Sequence, residues 1–426
     1  MQITLADNIR LHIISSKNFK TDTACILIRR KLSKREAALN ALIPRILAMG
    51  SSEYASASRI FAQAEAMHGS AFDAQLVKKG EEQLIQILLE YPPKRARQGG
   101  GVRLSEAFGF LAEVMLNPLV KDGGFLPHTV ETQKNILRAE MASHKNDLGE
   151  YARLRLIEEA FPEEAFSIPA LGFTQDLEGV TGASLFSHYI NILNTSPIEI
   201  MIVTQSSPED CESSARHAFD KLIKIRTSPD YFPAPSLGSN AASRPRIINE
   251  EADNSQGKLA VGYKAAVSPR GDEFLSFLLF SEILGGNADS RLFRLIREEH
   301  GLAYYVFSTV YRFKGFLAVH TGVEPANFAL TLDLIDQEVA YLASGNLPSQ
   351  DFESAKRTLA KRFESVSDSQ ASLLDFHLTQ YLLDDPATPQ LLARSVRSLA
   401  SSCVAYVAQE LRKDTVFTIS RTLGSV

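Results

Sequence analysis

The stretch Arg59–Phe72 reads RIFAQAEAMHGSAF, and the stretch Arg291–Tyr304 reads RLFRLIREEHGLAY. Both run Arg, apolar, Phe, six residues, His-Gly, one residue, Ala, aromatic, at an offset of 232 (291 − 59). Upstream, Ile26–Gly50 (ILIRRKLSKREAALNALIPRILAMG) lies beside Val261–Gly285 (VGYKAAVSPRGDEFLSFLLFSEILG) at an offset of 235 (261 − 26). Downstream, Lys79-Gly80 matches Lys314-Gly315 at that same offset of 235. One such match arises easily by chance, but three in the same order imply two copies of one domain.

The composition changes once, over residues 227–257, where Pro, Ser, Asn and Gly replace apolar periodicity. That segment reads as a linker between domains 1–226 and 258–426. Each copy reads as strand, helix, helix, hairpin, helix, helix. TDTACILIRR is strand-like, and Ser33 with Glu36 offers a capping box for the next helix. SRLFRLIREEH has helical spacing, with Gly301 as its stop. LAYYVFSTVYRF and FLAVHTGV are strands joined at FKG. Residues 106–117 and 327–344 read as helices. The expected fold class is α+β, two α/β-sandwich domains with an antiparallel-rich mixed sheet and helices on one face.

Net charge is −5, with 45 basic against 50 acidic residues, so no electrostatic case exists for nucleic acid or anionic membrane. No run of about eighteen apolar residues predicts a membrane span, and no signal peptide is expected at the N-terminus. Cys25, Cys211 and Cys403 form no zinc or disulfide spacing. The expected compartment is a reducing cytoplasm.

Neither HExxH nor HxxEH, GxSxG nor a P-loop occurs. RQGGGV, residues 97–102, lacks the P-loop lysine and hydroxyl and reads as a loop. IREEH has Ile296 where HxxEH needs its first histidine, so an exposed acidic helix end is the better reading. His68 and His300 precede glycines at matching helix ends, and capping or packing accounts for both. His320 reads as strand packing.

The duplicated unit, the helix running into "MGS" and the segment LAEVMLNPLV resemble the pitrilysin/insulinase family, the inverzincins, over essentially the whole chain. The resemblance implies a LuxS/metallohydrolase-like duplicated fold. Counted back from Gly50, the family's HxxEH would fall on Ala41, Pro44 and Arg45, none of which can replace the residue it stands for. The family's third ligand, a later helical glutamate, would fall near Glu140. The resemblance therefore implies the fold, and this sequence lacks the zinc-binding residues. Metal ligands in this chain: none expected.

A second family feature is present. Active members carry an arginine and a tyrosine seven residues apart in the second copy, contacting the substrate backbone and the tetrahedral oxyanion. REEHGLAY supplies Arg297 and Tyr304 at that spacing, whereas the first copy has Glu65 and Phe72. Asn287, in the GGNADS loop, is a weaker substrate-contact candidate.

FKTDTACILIRRKLS, LIPRIL, MHGSAFDAQLVKKG and GKLAVGYKAAV resemble the family's YmfF-type bacterial branch. The resemblance implies a heterodimer in which an HxxEH-bearing sister chain holds the zinc and this chain supplies Arg297 and Tyr304. It also implies binding of peptide substrate, and a link to modification of a translation elongation factor. The isolated chain is expected to lack peptidase activity. The competing reading is a solitary or homodimeric peptide-binding scaffold.

Overall fold

The strand Asp22–Lys31 (β3) is buried on both faces along nearly its whole length, as a continuous apolar run in the middle of a sheet should be. In this computed structural model the described residues are 1–94, 100–225, 241, 243–252 and 256–421. Most of the linker at 227–257, and residues 97–99 of RQGGGV, lie outside them. The chain divides into two units.

The first unit is built on Gln2–Ala6 (β1), Ile9–Ser15 (β2), β3, Ala71–Lys79 (β4) and Glu82–Tyr91 (β5). A small ribbon follows, Val120–Lys121 (β6) with Gly124–Phe125 (β7), and then Ile198–Thr204 (β8). Its main sheet has the order β1-β2-β8-β3-β5-β4. The second unit uses Arg246–Ala252 (β9), Lys258–Lys264 (β10), Ala303–Tyr311 (β11), Phe316–Val323 (β12) and Arg412–Arg421 (β13), in the order β11-β12-β10-β13-β9.

Reversing the second order matches its five strands to β2-β8-β3-β5-β4 of the first sheet, and β1 has no counterpart among the described strands. β2 runs parallel to β8 as β9 does to β13, and every other matched neighbour pair is antiparallel. The duplication read from the sequence is therefore a duplication of topology. Helices including Ala37–Leu47 and Leu104–Leu116 pack on one face of the first sheet, and Gly271–Gly285 with its neighbours on one face of the second. The result is an α+β sandwich in each unit.

Two segments depart from a simple split of the chain, Gln370–Asp375 belonging to the first unit and the longer one, Ser143–Ser167, to the second. There, the helix Leu148–Ala160 lays Ala152, Leu156, Ile157 and Ala160 on the sheet face opposite the main helices, against Ala260, Phe316, Ala318 and Phe417. Phe161 closes this layer, edge-on to Phe166 and Phe316 at centroid separations of 5.1 and 5.0 Å.

Gly262 lets Phe316 sit flat on the sheet, since a Cβ there would lie 2.4 Å from the Phe316 Cζ. Gly262→Ala should therefore destabilise the protein by about 1–3 kcal/mol through overpacking, measured as a lowered urea midpoint. An unchanged midpoint would show that the ring moves aside freely.

The capping box expected at Ser33 and Glu36 does not form. The Glu36 carboxylate instead accepts from the Arg30 guanidinium at 2.6 Å, and the Ser33 carbonyl accepts from the amides of Glu36 and Ala37. Arg30 is 7% exposed, and a carboxylate on a nearly buried cation outcompetes a terminal amide.

Candidate functional site

Ala41, Pro44 and Arg45 lie on the helix Ala37–Leu47, which continues through Pro44. Ala41 is 1% exposed in the first core and Pro44 is buried. Arg45 is half-buried, and its guanidinium forms an ion pair with Glu140 on the helix Pro127–Asn146. Two of the three places where the family pattern puts a metal ligand, Arg45 and Glu140, are thus joined by a guanidinium and a carboxylate. Zinc needs neutral or anionic donors at about 2 Å, and a cationic side chain already on the only carboxylate of the set opposes it. These residues do not fit a zinc ion. Among the described residues, no group of three or more His, Cys, Asp or Glu side chains is placed to hold a metal.

In the second unit, Arg297 and Tyr304 flank a tight connection. Phe293–Glu299 is wound as a π-helix, with the His300 amide donating to the Leu295 carbonyl. Gly301, at φ +61°, then reverses the chain into β11. A left-handed residue at this point favours glycine. Wide turns of this kind are frequent at functional sites. Arg297 is exposed and lies over the Phe293 ring, 4.7 Å from its centroid. Among the described residues it has no ion pair.

Tyr304 is placed by a β-bulge. Ala303 faces Val323 and Tyr305 faces Gly322, so two steps on β11 are matched by one on β12 and Tyr304 is the extra residue. A bulge re-aims its side chain, and Tyr304 is 76% exposed. In the first copy β4 pairs with β5 without interruption from Ala71 to Lys79. Its Phe72 is buried, edge-on to Phe61 and Phe110. The copies thus differ in backbone as well as in residue type. β11 is also the sheet's edge strand, pairing with β12 alone among the described strands, and such an edge is a template for an extended chain.

Asn287 is engaged locally. Its Nδ2 donates to Glu282 at 2.6 Å and its Oδ1 accepts from the Asp289 amide at 2.7 Å. Ile296 is fully buried and His300 exposed.

Sequence reading missed a groove of about 1140 Å³ on the second unit, where the helix Leu148–Ala160 begins. Tyr305 and Phe307 of β11, His320 of β12 and Lys258 of β10 line its sheet side. His320 is 5% exposed, its ring against Phe307 at 5.2 Å. Its Nε2 is buried with no hydrogen-bond partner. Burial, with Arg153 nearby, pushes its pKa down to about 4. The folded imidazole is thus neutral, while the unfolded one takes up a proton below about 6.5. Stability present above pH 6.5 should be lost as pH falls toward 4, by about 3 kcal/mol. Urea unfolding at pH 7 and pH 4 should show this loss, and His320→Gln should remove that part of it. An equal loss in the variant would assign it to other groups.

The peptidase M16 inactive domain matches residues 179–359. The chain is 23% identical to the probable inactive metalloprotease YmfF of Bacillus subtilis, over 97% of this chain and 96% of that protein. It is also 23% identical to an uncharacterized zinc protease of Mycobacterium leprae, over 60% of this chain and 56% of that one. Among solved structures, a conserved protein from Enterococcus faecalis superposes at a TM-score of 0.92 and 22% identity, covering 100% of this chain and 99% of that one. A peptidase M16 inactive domain from Pseudomonas fluorescens superposes at 0.78 and 16% identity, covering 100% and 99%. On matched domain, full-length similarity and fold, the chain is similar to the inactive, YmfF-like members of the M16 peptidase family.

Proposed function

We propose that this chain is the non-zinc subunit of a two-chain M16-type peptidase in a bacterial cytoplasm. It binds extended peptide along β11 by strand addition. It presents Arg297 and Tyr304 to the carbonyl being cleaved at the zinc of an HxxEH-bearing sister chain, where both donate to the developing oxyanion. Modification of an elongation factor is the process in which we place it.

The observation that carries this reading is the difference between the copies. The second has an exposed arginine, an exposed bulged tyrosine and an open strand edge. The first has a buried Phe72, and an Arg45–Glu140 pair where zinc ligands would stand.

The test is reconstitution. The purified chain mixed with its sister should form a stable complex that cleaves peptides in a zinc-dependent way, and neither chain alone should match it. A homodimer that ignores the sister, with no cleavage by the mixture, would overturn the proposal in favour of a scaffold.

A further inference from the structure

The charges lining the groove do not cancel. Arg153 donates to Glu150 at 2.7 Å and to the Tyr311 hydroxyl at 3.3 Å. Asp147 caps the helix Leu148–Ala160, accepting from the amides of Gly149 and Glu150 at 3.0 and 3.2 Å. Two ammonium groups are left without a carboxylate at ion-pair distance among the described residues, those of Lys145 and Lys258.

Lys258 is the better placed. It stands 5.3 Å from the Tyr305 ring centroid, and its one hydrogen bond is to the neutral Oε1 of Gln256 at 3.1 Å. Its pKa is lowered, chiefly because burial removes water from the ammonium. Asp147, on the groove's rim, opposes that shift without reaching ion-pair distance, and a partly dried cation whose one hydrogen bond goes to a neutral group gains from an anion brought into contact. Beside it are the unsatisfied Nε2 of His320 and the half-exposed ring of Phe307, 43% exposed. An unpaired polar atom in a groove of this size is more economically explained by a ligand than by packing. The chain as a whole is acidic at −5, so a locally cationic groove is not a by-product of general charge.

We infer that the groove is a carboxylate subsite, which takes an acidic side chain of the bound peptide through Lys258 and His320. This rests on strand addition at β11. Side chains of an added strand alternate between sheet faces, and Tyr305 and Phe307 put the groove on one of those faces. The substrate class is therefore an extended peptide with a glutamate or aspartate at one fixed position.

The experiment is a fluorescence-polarisation scan with labelled decapeptides, each carrying a single Glu or a single Gln at successive positions, on the full chain. At one position Glu should bind roughly tenfold tighter than Gln, the worth of one charge-assisted hydrogen bond. Lys258→Met should abolish that preference, so that Glu and Gln peptides bind alike, while Lys258→Arg should restore much of it. Equal binding of Glu and Gln peptides at every position, or a preference that survives Lys258→Met, overturns the subsite.

If no decapeptide binds, strand addition has failed, and a second probe isolates the groove. Ligand-observed NMR with N-acetylglutamate amide should then still show binding that Lys258→Met removes. Absence of that binding overturns the subsite as well.

Discussion

Arg297→Ala should lower zinc-dependent cleavage by the reconstituted pair about ten- to thousand-fold, the range for removing an oxyanion donor. Tyr304→Phe should do likewise. The loss should fall on kcat more than on KM, because the contact strengthens as charge develops on the carbonyl oxygen. Stability should barely change. Arg297 is exposed with only the Phe293 ring beneath it, and Tyr304 is 76% exposed. Surface changes of this kind usually stay within about 0.5 kcal/mol. The pair of measurements therefore separates chemistry from folding. Cleavage at the wild-type rate by both variants would leave the arginine and tyrosine as surface residues and remove the main support for the proposed role.

Phe161→Ala should be the most destabilising single change in the second unit, at about 3–5 kcal/mol. The ring is fully buried and touches Phe166 and Phe316 edge-on. The Lys264 ammonium also sits over it, 4.6 Å from the centroid. Truncation removes apolar contact on two sides and the cation's aromatic partner on a third. Urea unfolding followed by circular dichroism should show the shift, whereas Phe61→Ala, on a ring 48% exposed, should cost far less. A Phe161→Ala midpoint close to wild type would mean that the Ser143–Ser167 segment contributes little to the unit that contains it.

The duplicated α+β class was legible because local pattern and long-range repeat agreed, whereas the order of the strands and their parallel pairs were not read. Asp22–Lys31, Ala303–Tyr311 and Phe316–Val323 carry strand composition, and the repeat offset places their counterparts. The candidate site was legible only in part. Spacing alone brings Arg297 and Tyr304 to the two ends of one turn. The bulge that turns Tyr304 outward depends on the register against Gly322 and Val323, which no local signal encodes. The same holds for the Arg45–Glu140 pair, whose members lie 95 residues apart. Asn287 looked available as a loop amide, and its engagement with Glu282 appears only once the turn is folded. The groove was illegible for a further reason. Its walls come from Lys145, Lys258, Tyr305 and His320, brought together from three separate stretches of the chain, and the unsatisfied Nε2 of His320 exists only once they meet.

The membership of Ser143–Ser167 in the second unit sets a timetable for synthesis. Phe161 and Leu156 leave the ribosome long before Ile419, the last-made member of the buried layer they belong to, with 258 residues (419 − 161) still to be added after Phe161. At about 5–20 residues per second, the nascent chain carries that apolar helix without its final cover for roughly 13 to 50 s. Such a chain should engage holdase chaperones during translation. Expression of residues 1–226 alone would leave the helix permanently in that state, with aggregation as the expected outcome.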